Sequence, residues 1–153
     1  MRSLLLTAAL VLSAPMFCVA FACAQAADSP GDSCTAPTPI RFAPGHDSAT
    51  YSDVVTRSGP RCYVFTARKG QRLDASLTRG SSSNAAVLAF RPGWGFRDVY
   101  GYRMMDGDAL PGAGRDDTAT SVRATLPESG RYLVELATAR GDAAAYTLRI
   151  RIR

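Results

Sequence analysis

The chain has 153 residues and a net charge of +5, with 18 Lys and Arg side chains against 13 Asp and Glu. That length is enough for one domain with a real core. Lys69 is the only lysine, and the arginines are scattered without a basic block or interleaved aromatics, so nucleic-acid binding has little support.

At the N-terminus Arg2 is followed by the apolar run Leu4 to Leu12 and then by small residues ending in Ala24-Gln25-Ala26. This is the layout of a secretory signal, so residues 1–26 are expected to be removed after Ala26 and the mature protein to be periplasmic. Nothing downstream approaches about 18 apolar residues in a row, and no mature membrane span is expected. Removal of Arg2 lowers the charge from +5 to +4. Cys18 and Cys23 leave with the leader. A lipidated Cys23 is the lesser alternative, because Ala20 and Phe21 fit a lipoprotein cleavage box poorly. The two remaining cysteines, Cys34 and Cys62, are expected to pair in an oxidising compartment. Their bond would close a loop of about 28 residues, worth on the order of 3 kcal/mol. Two cysteines and one histidine fall short of a four-ligand zinc site, and neither metal nor cofactor is expected.

Residues 27–39 are rich in Ser, Pro, Asp and Thr and read as a flexible lead-in to a β domain spanning 40–153. Within that domain, short strands alternate with Gly, Pro, Asn and Asp turns. Residues 71–79 place Leu73, Ala75 and Leu77 on one face and Asp74, Ser76 and Thr78 on the other. The run 121–126 repeats this with Val122, Ala124 and Leu126 inward. The C-terminal run is the clearest, with Tyr146, Leu148, Ile150 and Ile152 inward and Thr147, Arg149, Arg151 and Arg153 outward. Period-two alternation marks strands with one buried face. With 38–42, 50–56, 61–67, 85–90 and 131–138, the count reaches about eight strands and no helix. That pattern predicts an all-β, antiparallel, immunoglobulin-like sandwich. The glycine-rich stretch 91–118 reads as a long loop with one short strand near 99–104.

Catalytic machinery is hard to find. His46, the only histidine, sits beside Asp47 and Ser48, but neighbours in sequence rarely form a triad, and a turn histidine bonded to nearby backbone is the better reading. Asp106, Asp108, Asp116 and Asp117 miss the spacing of a calcium loop and read as solvated turn carboxylates. The chain is therefore expected not to be an enzyme. Tyr51, Trp94, Phe96, Tyr100 and Tyr102 are better suited to binding, since aromatics supply rigid contact area with polar tips; Trp94 and Phe96 could equally cap the core.

The segment Arg41-Phe42-Ala43-Pro44-Gly45-His46-Asp47-Ser48-Ala49-Thr50-Tyr51-Ser52 resembles the opening motif of the bacterial periplasmic inhibitors of g-type lysozyme. Tyr63-Val64-Phe65-Thr66-Ala67-Arg68-Lys69-Gly70-Gln71 and Leu126-Pro127-Glu128-Ser129-Gly130-Arg131-Tyr132 are similar to later pieces of that family, in order and spacing. The resemblance runs from about Ile40 to Ile152. It implies a sandwich that protects the cell wall against a host lysozyme, a means of evading host defence. It also implies a partner-binding edge of Tyr51 and Arg140, with His46 and Ser48 beside them. One departure stands out: Arg140-Gly141-Asp142-Ala143-Ala144 lacks the family's second arginine, at Ala144. The alternatives are an inhibitor of invertebrate-type lysozyme, a carbohydrate- or cell-wall-binding module using Trp94, Phe96 and Tyr100, and a sandwich of the kind appended to secreted proteases.

Overall fold

The computed structural model describes residues 34–80, 84–100, 102–113, 118–138 and 143–153. The expected leader with Cys18 and Cys23, the first part of the lead-in, Asp116, Asp117, Arg140 and the side chain of Tyr102 lie outside the described residues.

Ten strands follow in chain order: β1 Thr38–Pro39, β2 Ser48–Thr56, β3 Arg61–Ala67, β4 Arg72–Arg79, β5 Ala85–Phe90, β6 Gly95–Val99, β7 Tyr102–Asp106, β8 Ser121–Thr125, β9 Gly130–Thr138 and β10 Ala143–Ile152. Eight of them form two four-stranded sheets, ordered β1-β3-β9-β5 and β2-β10-β4-β8, and β6 and β7 form a separate hairpin. All pairings are antiparallel except the short β1, which runs parallel to β3. The predicted sandwich is present, and its strand count holds for the two sheets.

The core between the sheets is built from the faces that alternation marked. Leu73, Ala75, Leu77, Val122, Leu148 and Ile150 of one sheet meet Phe65, Val87, Tyr132, Val134 and Leu136 of the other. Ring stacking of Phe65 on Tyr132, with centroids 5.4 Å apart, adds attraction beyond the area buried. Tyr132 also closes the turn before β9: its hydroxyl donates to the Glu128 carbonyl at 2.6 Å and accepts from the Glu128 amide at 3.3 Å. Such a hydroxyl, reaching back to upstream backbone near the start of a strand, resembles the tyrosine corner of immunoglobulin domains.

The stretch read as one long loop holds a hairpin, and this corrects the expectation for 91–118. The hairpin packs Trp94, Phe96 and Met105 against a second cluster of Cys34, Cys62, Val64, Phe90 and Leu133 on the outer face of the β3–β9–β5 sheet. β3 is therefore covered on both faces, which is why Cys62-Tyr63-Val64-Phe65 shows no alternation. Cys34 and Cys62 are joined as expected, and the bond anchors the chain just before β1 to this second cluster.

Gly130 marks a position where no larger residue fits. A Cβ placed there would lie 2.6 Å from Cγ of Pro92, beside the hairpin.

Candidate functional site

The motif segment 41–52 forms a turn followed by an edge strand. Gly45 takes φ +77°, a region open to glycine, and this lets the His46 amide donate to the Ala43 carbonyl at 2.9 Å. His46 is exposed, with Nδ1 3.0 Å from the Pro44 carbonyl oxygen. That is the backbone-bonded turn histidine expected from the sequence. Asp47 accepts a 2.8 Å bond from Nε of Arg151, and this bond holds its carboxyl below the usual value of 3.8 despite some loss of solvation. The Asp47 carbonyl accepts from the Ile152 amide, so the turn is stitched to the end of β10. Ser48 then opens β2, where Ala49, Thr50 and Tyr51 follow in the β-favouring run Ser-Ala-Thr-Tyr-Ser-Asp-Val-Val-Thr.

Tyr51 lies opposite Leu148 in the β2–β10 ladder and so points toward the core side of an edge strand. Its ring is half-buried, 4.8 Å from that of Tyr63, and its hydroxyl accepts the Arg41 amide at 3.1 Å. These contacts fix the ring in one place. Deeper in, the hydroxyls of Tyr63 and Tyr146 meet at 2.7 Å across the two sheets. Burial pushes both phenols above their usual value of 10.0, so both stay neutral at ordinary pH.

The ladder brings three of the expected site residues together. His46, Ser48 and Tyr51 share one end of β2, where Ser48 lies opposite Arg151. Ala143, the first described residue after the Arg140 segment, lies opposite Thr56 toward the other end. Thr56 lies five steps along the strand from Tyr51, about 17 Å at the usual rise per residue. Ala144 faces the core and is 3% exposed. In this chain a side chain at position 144 therefore points away from solvent.

The aromatic set singled out as a sugar platform is divided by the fold. Trp94 is half-buried: its Nε1 donates to the Arg131 carbonyl at 3.0 Å and the Arg131 guanidinium lies 5.2 Å from its ring centre. Phe96 packs edge-on to Trp94. Tyr100 alone of these three stands free, 97% exposed with φ +52° at the hairpin tip. Among the described residues no three His, Cys, Asp or Glu side chains converge as a metal-binding group. Among them also, no helix is long and apolar enough to cross a membrane.

What sequence reading missed is the role of Tyr51 in holding Arg41 and the joining of Asp47 to Arg151. Both pairs come from segments whose contact is decided only by the ladder. The outward alternation of Arg149 and Arg151 was visible, but not which strands would lie beside them.

Two mainly antiparallel sheets facing across one core, with a tyrosine corner at β9, define an immunoglobulin-like β-sandwich. Within that class the chain is structurally similar to the periplasmic inhibitor of g-type lysozyme, PliG. It is 28% identical to Aeromonas hydrophila PliG, with a TM-score of 0.56 over 76% of this chain and 96% of that one. Against Salmonella Typhimurium PliG it is 26% identical, with a TM-score of 0.53 over 76% and 97%. A mutant of the Escherichia coli PliG shares the fold at 23% identity, with a TM-score of 0.55 over 76% and 97%. The resemblance read from the 41–52 segment thus extends to the whole sandwich. No protein-family model matches the chain, and no curated protein matches it.

Proposed function

We propose that this protein is a periplasmic inhibitor of lysozyme, acting on a host enzyme of the g type. The observation that carries this reading is the position of the 41–52 motif on the edge of a sandwich shared with inhibitors of g-type lysozyme. A lysozyme cleft carries acidic residues at the scissile bond. Arg140 is assigned to one of those carboxylates, because a guanidinium makes two parallel charge-assisted bonds and stays cationic at any working pH.

Tyr51 is assigned as the second contact. Its ring is held against Tyr63 and its oxygen by the Arg41 amide, while the hydroxyl proton remains available to an acceptor on the partner. A side chain fixed beforehand loses little freedom on binding. His46 and Ser48 flank it from the turn and the first position of β2 and are assigned to the rim of the contact.

The net positive charge, +5 for the full chain and +4 once Arg2 is removed, gives no long-range attraction to a cationic lysozyme. Complementarity within a Debye length of about 8 Å must therefore supply the affinity. The test is inhibition by Tyr51→Ala and Arg140→Ala. Each should weaken inhibition by about 30-fold, the value of a hot-spot contact of about 2 kcal/mol. Undiminished inhibition by Arg140→Ala would remove that residue from the contact. Tyr51→Phe, which keeps the ring, separates the hydroxyl's part from the packing.

A further inference from the structure

The outer face of the β2-β10-β4-β8 sheet carries charge that the proposed lysozyme contact does not use. Arg72, Arg123, Arg149 and Arg151 project from it, with Asp74 and Asp47 as the carboxylates beside them. The ladders fix their places. Arg151 lies opposite Asp74 and Asp74 opposite Arg123, so the aspartate sits between two arginines on adjacent strands. One residue pair along, Arg149 lies opposite Ser76 on β4 and Thr50 on β2. Asp74, Ser76, Arg123, Arg149 and Arg151 together line a shallow concavity.

The carboxylates are already engaged. Asp47 takes Nε of Arg151 at 2.8 Å, and Asp74 lies 3.5 Å from Nε of Arg123. Arg149 is exposed and has no partner among the described residues. An unpaired guanidinium flanked by two others whose orientation is set by carboxylates is a receptor for an oxyanion. We propose that this face binds an acidic glycan, with Arg149 taking the carboxylate or phosphate of one sugar. Arg151 and Arg123 take neighbouring charges along the chain.

The surroundings argue for a glycan over other polyanions. The positions around Arg149 carry hydroxyls: Thr50, Ser76 and Thr147 flank it, and Ser52 is bonded to Thr147 at 2.9 Å. Hydroxyls suit the polar groups of a sugar. Among the described residues that line it, the concavity has no aromatic ring for a nucleobase to stack on and no apolar side chain to enter a bilayer. Arg149 and Arg151 are two residues apart on β10, about 7 Å, and β8 lies about 10 Å from β10, so the three charges span several sugars.

The proposal is independent of the lysozyme reading, and the two fail separately. The test is calorimetric titration of the purified protein with alginate, which carries carboxylates, and with a phosphomannan, which carries phosphates, at low and at physiological ionic strength. Binding of either is expected, and the tighter of the two identifies the oxyanion. Arg149→Thr should weaken that binding about tenfold and lower the slope of log affinity against log salt by about one. Arg57→Thr removes the same charge from the turn after β2 and should weaken it less than about twofold. An unfolding midpoint equal to wild type shows that Arg149→Thr is folded, and Arg149→Gln is the second variant should the strand be disturbed. Three results would overturn the proposal: no binding to either glycan at low ionic strength, equal losses for Arg149→Thr and Arg57→Thr, or tighter binding to duplex DNA or phosphatidylglycerol vesicles.

Discussion

The Cys34–Cys62 bond closes a loop with a sequence separation of 28. In the chain-entropy model this removes unfolded-state freedom worth about 3.6 kcal/mol at 25 °C. The bond also sits inside the second hydrophobic cluster, with Cys34 1% and Cys62 0% exposed, so the sulfurs contribute packing as well. At about 2.1 cal/mol/K of unfolding entropy per residue, a sandwich of this size should lose roughly 14 °C of Tm when the bond is broken. Scanning calorimetry of the wild type with and without reductant measures the loss with both sulfurs retained. The Cys34→Ala/Cys62→Ala variant should fall further, because it also empties part of the cluster. A drop below about 4 °C on full reduction would refute the loop-entropy reasoning. It would mean that β1 and the bond from the Ile40 amide to the Val64 carbonyl already restrain the segment.

Four further outcomes follow from contacts inside the fold. Tyr146→Phe strands the Tyr63 hydroxyl and should cost about 1–3 kcal/mol in urea unfolding, while Tyr63→Phe/Tyr146→Phe together should cost less than the two single changes combined. Burial raises both phenols, so their contribution is complete below the unfolded value near 10.0 and is lost as pH climbs through the folded values; stability should decline on the alkaline side in the wild type and less in the double variant. Asp47 is shifted the other way: its ion pair with Arg151 supports the fold above the usual carboxyl value of 3.8 and is lost as pH falls through the lowered folded value, so Asp47→Asn should flatten the acid limb of the stability curve. Gly130→Ala drives a methyl into the Pro92 ring and should cost about 1–3 kcal/mol by thermal unfolding.

The strands easiest to read from sequence were those with one wet face. β4, β8 and β10 alternate cleanly because the β2-β10-β4-β8 sheet presents its outer side to solvent. β3 and β5 gave apolar runs instead, since Val64 and Phe90 on their outer face are covered by the hairpin. The hairpin itself was hidden. Its glycines resemble loop punctuation, and among the described residues Trp94, Phe96 and Met105 reach the sheet, too few for a period to show. The candidate site was legible as a motif but not as geometry. Tyr51 is recognisable from its neighbours in sequence, whereas its half-buried packing depends on Tyr63 in the opposite sheet. The inward facing of Ala144 likewise depends on the β10 ladder.

The most direct test of lysozyme inhibition is a cell-wall lysis assay, with the purified protein titrated against g-type, c-type and i-type lysozymes. Selective loss of g-type activity near one inhibitor per enzyme is the predicted result. Inhibition confined to the i-type enzyme would contradict the target class, and full activity of all three enzymes at excess protein would contradict inhibition itself.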